Sequence, residues 1–216
     1  MPALPIGDCI KFGWETFKRR PWILIGAFAL TVLISAIPGI LAPHPEIVQG
    51  QPPPPPTPFA IVMGLVSVVV NLFVGLGLTN FALRAHDNID GVTIGDLWNP
   101  APFWRFLGAE LLAALIIVAG FILLVIPGII ASLGLGFAPY IVIDRPLGPV
   151  ESLKESWRIT KGNKWRIFLF GLALLGVNIL GLLAIGIGVL VSVPITLLAV
   201  VHAYRFLQTA AGPAPA

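Results

Sequence analysis

Residues 144–170 read DRPLGPVESLKESWRITKGNKWRIFLF. Within them Leu147, Val150, Leu153 and Trp157 follow three- and four-residue steps, the spacing of one face of a helix. Pro149 suits the first turn of that helix, where a missing N–H loses no bond. Lys154, Arg158, Lys161 and Lys164 place cations beside the same face. A helix with Leu and Trp on one side and Lys and Arg on the other lies in a membrane interface. The rival reading, a surface helix of a soluble domain, conflicts with the stretch that follows: residues 167–201 contain no charge at all.

Working outward from this junction, the whole chain has the same character. Of its 216 residues 57% are hydrophobic and 11% charged, and its mean hydropathy is +0.95. A soluble domain carries about 25% charged residues, so most soluble classes are excluded. The formal net charge of +3 is small, and its placement matters more than its size. The single cysteine, Cys9, cannot form an intramolecular disulfide and is read as packing.

Upstream, residues 6–19 place Ile6, Ile10, Trp14 and Phe17 on one helical face, and Pro21 then opens an apolar run. That run is too long for the apolar core of a signal peptide and no A-x-A site follows it, so it is expected as an uncleaved first span, residues 22–41. Ile37-Pro38-Gly39 should end or kink it. Residues 42–58 are polar and proline-rich, with five consecutive prolines at 52–56, and are expected as a stiff periplasmic loop. A second span covers residues 59–83. Residues 106–143 carry one charge, Glu110, and would make about 57 Å of helix, nearly twice a hydrocarbon core. They must fold back, with the turn expected at Pro127-Gly128. Spans three and four then cover residues 106–126 and 128–143, the latter short and open to distortion at Pro139. Gly186 and Gly188 divide the last apolar run into spans five and six, residues 166–185 and 188–207.

The charges test this count. With six spans all thirteen Lys and Arg fall on one side of the membrane, which the positive-inside bias makes cytoplasmic, together with both termini. All six tryptophans lie near the same side, as interfacial anchors would. The borders also repeat: residues 14–22 and 157–165 share Trp, Lys and Trp at offsets 0, 4 and 8, and Ile37-Pro38-Gly39 echoes Ile126-Pro127-Gly128. The expected parse is three units in parallel, each an interfacial helix followed by two spans. Gly128, Ser132 and Gly136, and likewise Gly188, Ser192 and Thr196, recur every fourth residue and suit close helix packing.

Chemistry is sparse. Glu110 is shallow, Asn71, Asn80 and Asn178 are expected to cross-link helices, and His44, His86 and His202 fall on different borders. The patterns H-E-x-x-H, G-x-S-x-G and G-x-x-x-x-G-K-[ST] do not occur, and one cysteine with scattered histidines assembles no metal set. No cofactor and no enzymatic activity are expected. Basic residues cluster at the membrane plane, which suits anionic headgroups rather than nucleic acid.

The stretch IDRPLGPVESLKESWRITKGNKWRIF, residues 143–168, resembles a signature of uncharacterised bacterial six-span inner-membrane proteins, the YciC-like family. Around residues 151–162 it is also similar to the membrane region attached to some glycerophosphodiester phosphodiesterases. The likeness covers residues 90–208 well and the N-terminal third loosely. It implies a six-helix inner-membrane fold and carries over no catalytic residue; the phosphodiesterase's hydrolytic domain has no counterpart here. The expectation is thus a single all-α membrane bundle of six spans with cytoplasmic interfacial amphipathic helices. Its first functional reading is a non-enzymatic scaffold that holds anionic phospholipid, or a cytoplasmic or membrane protein partner. Lys154, Arg158, Lys161, Lys164 and Arg166 would contact headgroups, with Trp157 and Trp165 as anchors. The alternative is a small-solute transporter or channel, favoured by broken helices and disfavoured by the shortage of buried charge.

Overall fold

The structure is a computed structural model that describes residues 2–42, 55, 57–99, 102–184 and 188–212. Among these residues all regular secondary structure is helical. Helix α1 (Ile6–Arg19) is followed by α2 (Pro21–Leu41), α3 (Pro58–Asp87), a 3-10 turn (Ile94–Leu97), α4 (Phe103–Leu123), α5 (Val125–Leu135), α6 (Ala138–Asp144), α7 (Pro149–Thr160), α8 (Lys164–Leu183) and α9 (Val189–Ala211). Six segments among the described residues are long and apolar enough to cross a membrane: α2, α3, α4, α5 with α6, α8 and α9. The protein is an all-α, multi-pass membrane protein. Most of the proline-rich loop, His44 and Gly186 lie outside the described residues.

Several boundaries differ from the sequence-based expectation for local reasons. Helix α2 runs through Pro38 to Leu41, and α3 continues to Asp87, four residues beyond the expected end at 83. The turn between spans three and four is at Leu124, whose backbone is extended, rather than at Pro127-Gly128. Pro127 instead occupies the first turn of α5, where its absent N–H breaks no helical bond. Span four is broken, as Pro139 suggested: α5 ends at Leu135 and α6 starts at Ala138 with Pro139 in its first turn.

Glycines set how closely the spans approach. Gly120 meets Gly128 where α4 turns into α5, and the Phe121 ring fills the space a Cβ on Gly128 would take. Gly181 admits Ser192 and the backbone of Gly188 in the same way where α8 meets α9. Across that second hairpin Ser192 Oγ donates to Asn178 Oδ1 at 3.0 Å and Asn178 Nδ2 donates to Thr196 Oγ1 at 3.3 Å. Asn80 ties the connection after α3 back to the helix, donating to the Asp96 carbonyl at 2.7 Å. Among the described residues Asn71 bonds only within its own helix, donating to the Ser67 carbonyl at 2.8 Å and to Ser67 Oγ at 3.3 Å.

The protein core gathers at the end of the bundle that carries the basic residues. Leu4, Cys9, Ile159, Tyr204 and Leu207 form one cluster; Phe17, Leu24, Phe81 and Leu198 form another; Leu76, Phe106, Leu135 and Leu153 form a third. Toward the opposite end Leu33, Val62, Leu115 and Leu180 are exposed, as side chains solvated by lipid are. All six tryptophans are between 41% and 83% exposed, which leaves each of them free to face the bilayer border at the basic end.

The two amphipathic helices pack differently from the expectation. On α1 the buried residues are Cys9, Gly13, Thr16 and Phe17, while Trp14 faces outward. Gly13 rests against the Ile195 carbonyl of α9, a contact that any side chain would block. On α7 the buried residues are Ser152, Leu153, Glu155, Ser156, Ile159 and Thr160, while Val150 and Trp157 face outward. In both helices small and polar residues join Phe17, Leu153 and Ile159 on the face toward the protein. The element order keeps the expected three-part pattern except in the middle unit, where the 3-10 turn stands in place of an amphipathic helix.

The inward face of α7 repairs the broken span. Phe137 N–H, left without a helical partner at the α5–α6 break, donates to Ser156 Oγ at 3.2 Å. Ser156 in turn donates to the Gly134 carbonyl at 2.8 Å, and Thr160 Oγ1 lies 3.4 Å from the same oxygen. Ser156→Ala is expected to cost about 1–3 kcal/mol, because it orphans buried backbone groups, whereas Ser67→Ala, at a half-buried position whose hydroxyl serves no backbone group, should cost less. Thermal unfolding of both variants in detergent checks this.

Candidate functional site

The richest arrangement of polar side chains surrounds the turn between α7 and α8. Thr160 ends α7, and Gly162 then adopts φ +82°, a conformation glycine takes without strain. This turn buries Asn163, whose Oδ1 accepts from Leu4 N–H at 3.1 Å and whose Nδ2 donates to the Pro2 carbonyl at 3.2 Å. Arg166 Nη1 adds a bond to the Leu4 carbonyl at 3.2 Å. The segment before α1 is therefore fastened to the start of α8.

Arg158 fastens the end of α9. Its guanidinium donates to the Ala211 carbonyl at 2.9 Å and to the Gly212 carbonyl at 3.0 Å, oxygens that the helix itself leaves unpaired. The same group holds Glu155 in a two-pronged pair, Nε to Oε2 at 2.7 Å and Nη2 to Oε1 at 2.8 Å. Arg145, just past α6, reaches Glu155 Oε1 at 3.4 Å. The hydrogen bonds from Arg158 hold the Glu155 carboxyl below the usual carboxylate range; burial opposes them, and the charges of Arg158 and Arg145 reinforce them. The same bonds keep the Arg158 guanidinium above its ordinary value.

A second set of charges links α3, α6 and α9. Arg205 donates to Asp144 Oδ2 and to Asp87 Oδ2, both at 2.7 Å, and Tyr204 OH donates to Asp144 at 2.8 Å. His86 Nδ1 meets Asp87 Oδ1 at 2.9 Å, and His86 Nε2 meets His202 Nδ1 at 3.1 Å. With His86 Nδ1–H donating to the Asp87 carboxylate, Nε2 of the neutral ring accepts from His202 Nδ1–H. Phe12 of α1 stacks on His202 with ring centroids 4.2 Å apart. The expectation that the histidines occupy separate borders is corrected for this pair: α3 and α9 run side by side and bring them into contact. Among the described residues no group of three or more His, Cys, Asp or Glu stands close enough to hold a metal ion.

The residues expected to contact headgroups divide into two groups. Arg158 and Arg166 are engaged with the ends of the chain, as above. Lys154 and Lys161 are exposed and make no ion pair among the described residues. Lys164 Nζ lies 3.1 Å above the centre of the Trp157 ring, a cation–π contact, and Trp157 leans into the space a Cβ on Gly134 would fill. Trp165, 69% exposed, stands beside Lys164 on the first turn of α8. Glu110 lines an open groove between α3 and α4 together with Ser67 and Asn71. Glu155, Asn163, Asp144 and Asp87 are absent from the sequence-based list. Only Glu155 left a signal, the E-x-x-R spacing to Arg158 that places both on one helical side.

The family described as "Protein of unknown function (DUF975)" matches residues 59–211, which run from the first turn of α3 to the end of α9. The chain belongs to this family. It is also similar to Uncharacterized protein Rv2560 of Mycobacterium tuberculosis and Uncharacterized protein Mb2590 of Mycobacterium bovis. Each is 29% identical over 229 residues, covering 94% of this chain and 68% of the relative. No solved structure matches the chain. The matched region contains the α7–α8 turn, its ion pairs and the exposed lysines, while α1 and α2 lie outside it.

Two outcomes follow from this geometry. Glu155 has a lowered native pKa, so its contribution to stability is complete above the unfolded value of about 4.3 and is lost as pH falls through the lower native value. Unfolding temperatures should drop across that acid window, and Glu155→Gln should flatten the drop while lowering stability at neutral pH. Burial, with the charge of Asp8 adding to it, pushes the Cys9 thiol up to about 11. Iodoacetamide at about pH 8 should therefore leave Cys9 unmodified in the folded protein and modify it after denaturation, as read by mass spectrometry.

Proposed function

We propose that this protein is a non-enzymatic scaffold of a bacterial inner membrane that holds anionic phospholipid on its basic, tryptophan-rich end. The observation that carries this reading is the triplet of lysines at the α7–α8 turn. Lys154 and Lys161 are exposed without ion pairs among the described residues, and Lys164 is held on the Trp157 ring at the bundle's edge. Each such cation contributes about 1 kcal/mol of attraction to an anionic membrane surface. The neighbouring arginines are tied to carbonyls and Glu155, so they set the shape on which the lysines are displayed.

Orientation follows from the same residues. All thirteen Lys and Arg belong to the ends of the spans that meet at α1 and α7, which supports a cytoplasmic location for that end and for both termini. The proline-rich loop 42–58 would then face the periplasm, and the whole chain would form one integral membrane unit. The likeness of residues 143–168 to YciC-like proteins supports the inner membrane as its site.

The transporter reading is weaker on structural grounds. A broken span serves transport when its freed backbone lines a cavity. Here Ser156 and Thr160 of α7 fill the α5–α6 break.

Reporter fusions at the C-terminus and within the loop at 42–58 should place them on the cytoplasmic and periplasmic sides respectively. Replacing Lys154, Lys161 and Lys164 together by Gln should reduce retained anionic phospholipid by at least about tenfold in native mass spectrometry. Unchanged retention, or retention of a stoichiometric protein in place of lipid, would count against the reading.

A further inference from the structure

The apolar groove between α5 and α8 lies beside the lysine triplet, and its polarity runs in one direction. Ile126, Ile129, Ile130 and Leu133 line it from α5 at steps of three and four residues, one face of a helix. Phe168 and Trp165 line it from α8, and Lys164 is the one charged residue on its wall among the described residues. Its volume is about 310 Å³, within the range of about 300–1,000 Å³ in which proteins hold small ligands. From Leu133 to Ile126 the α5 wall descends about 10 Å into the segment that crosses the membrane.

We propose that this groove is a specific site for one anionic phospholipid, with an acyl chain along α5 and the phosphate against Lys164. The proposal rests on the scaffold reading and names the place where lipid is held. Three features select this occupant. A body lined by hydrocarbon with a cation at one end matches the polarity of an amphiphile. The ammonium is held in advance: Trp157 supports it, and Trp157 is itself seated on Gly134. Lys164 has no carboxylate partner among the described residues, because Glu155 is paired with Arg158 and Arg145, so an anion is the group that completes the site.

The test separates groove from surface. The full chain is released gently from bilayers containing equal amounts of phosphatidylglycerol and phosphatidylcholine with identical acyl chains, and bound lipid is counted by native mass spectrometry. One phosphatidylglycerol per chain is expected to persist at collision energies that strip the rest. Ile130→Trp fills the groove and should lower that species by at least about fivefold, through lost apolar contact. Ile126→Trp does the same from a position 70% exposed, where added bulk does not disturb the protein core. Lys164→Gln should lower the phosphatidylglycerol preference by about fivefold and leave apolar occupancy in place. A Lys154→Gln, Lys161→Gln pair should spare the persistent molecule.

If both tryptophan variants keep the persistent lipid while lysine replacement removes it, the groove assignment falls and the basic-face reading stands. If neither kind of variant alters retention, both fall. A second copy of the chain displaced by Ile130→Trp, in place of lipid, also overturns the assignment.

Discussion

A span that breaks inside a membrane exposes backbone groups that hydrocarbon cannot bond, and most of this architecture follows from how that debt is met. At the α5–α6 break the unpaired groups include Phe137 N–H and the Gly134 carbonyl, and Ser156 serves both with one hydroxyl. To do so α7 must lie directly against the break with its serine face inward. That position sends Trp157 to the outer edge, over Gly134, and brings Lys164 above its ring. It also aims Glu155 at the guanidinium of Arg145, which follows α6. The lysine display and the buried ion pairs are thus consequences of one repair.

The charges then close the basic end in a chain of pairs. Arg158 joins Glu155 to the last carbonyls of α9, and Arg205 of α9 joins Asp144 of α6 to Asp87 of α3. Asn163 and Arg166 fix the segment ahead of α1. Among the described residues few of these contacts exist at the opposite end, where the spans turn exposed apolar side chains outward. Stability concentrated at one end leaves the far halves of the spans to be packed by lipid, so bilayer composition is part of this protein's solvent rather than a passive surround.

The number of spans was legible in the sequence because two independent signals, apolar length and the placement of thirteen cations, had to agree. Pro149 marked the start of α7 for the same elementary reason that Pro127 turned out to open α5: a missing N–H is harmless in a first turn. The helix faces were harder to read. Periodicity groups the apolar residues of α1 and α7 on one face each and the composition places those faces at the membrane interface, yet each helix has two apolar neighbours, protein and lipid. In that contest small residues such as Gly13 and Ser156 go inward, where close approach and hydrogen bonds count, and Trp14 and Val150 go outward. The long-range partners left no local trace: Arg205 and Asp144 are sixty-one positions apart and meet only when α9 passes α6.

This splitting of the apolar face between protein and lipid bears on function. A soluble protein would hide Trp157 and expose Ser156, and its basic surface would then carry no ordered aromatic. Here the aromatic is outside, seated on a glycine, and carries a lysine whose charge no carboxylate among the described residues neutralises. The groove beside it continues the same logic, since α5 is kept apolar toward α8 while its polar break is answered from α7. Placing the repair on one side of α5 leaves the other side free for a hydrocarbon chain. In the proposed site, that division of one short helix between protein and lipid is what would let a phospholipid be ordered rather than merely attracted to a basic surface.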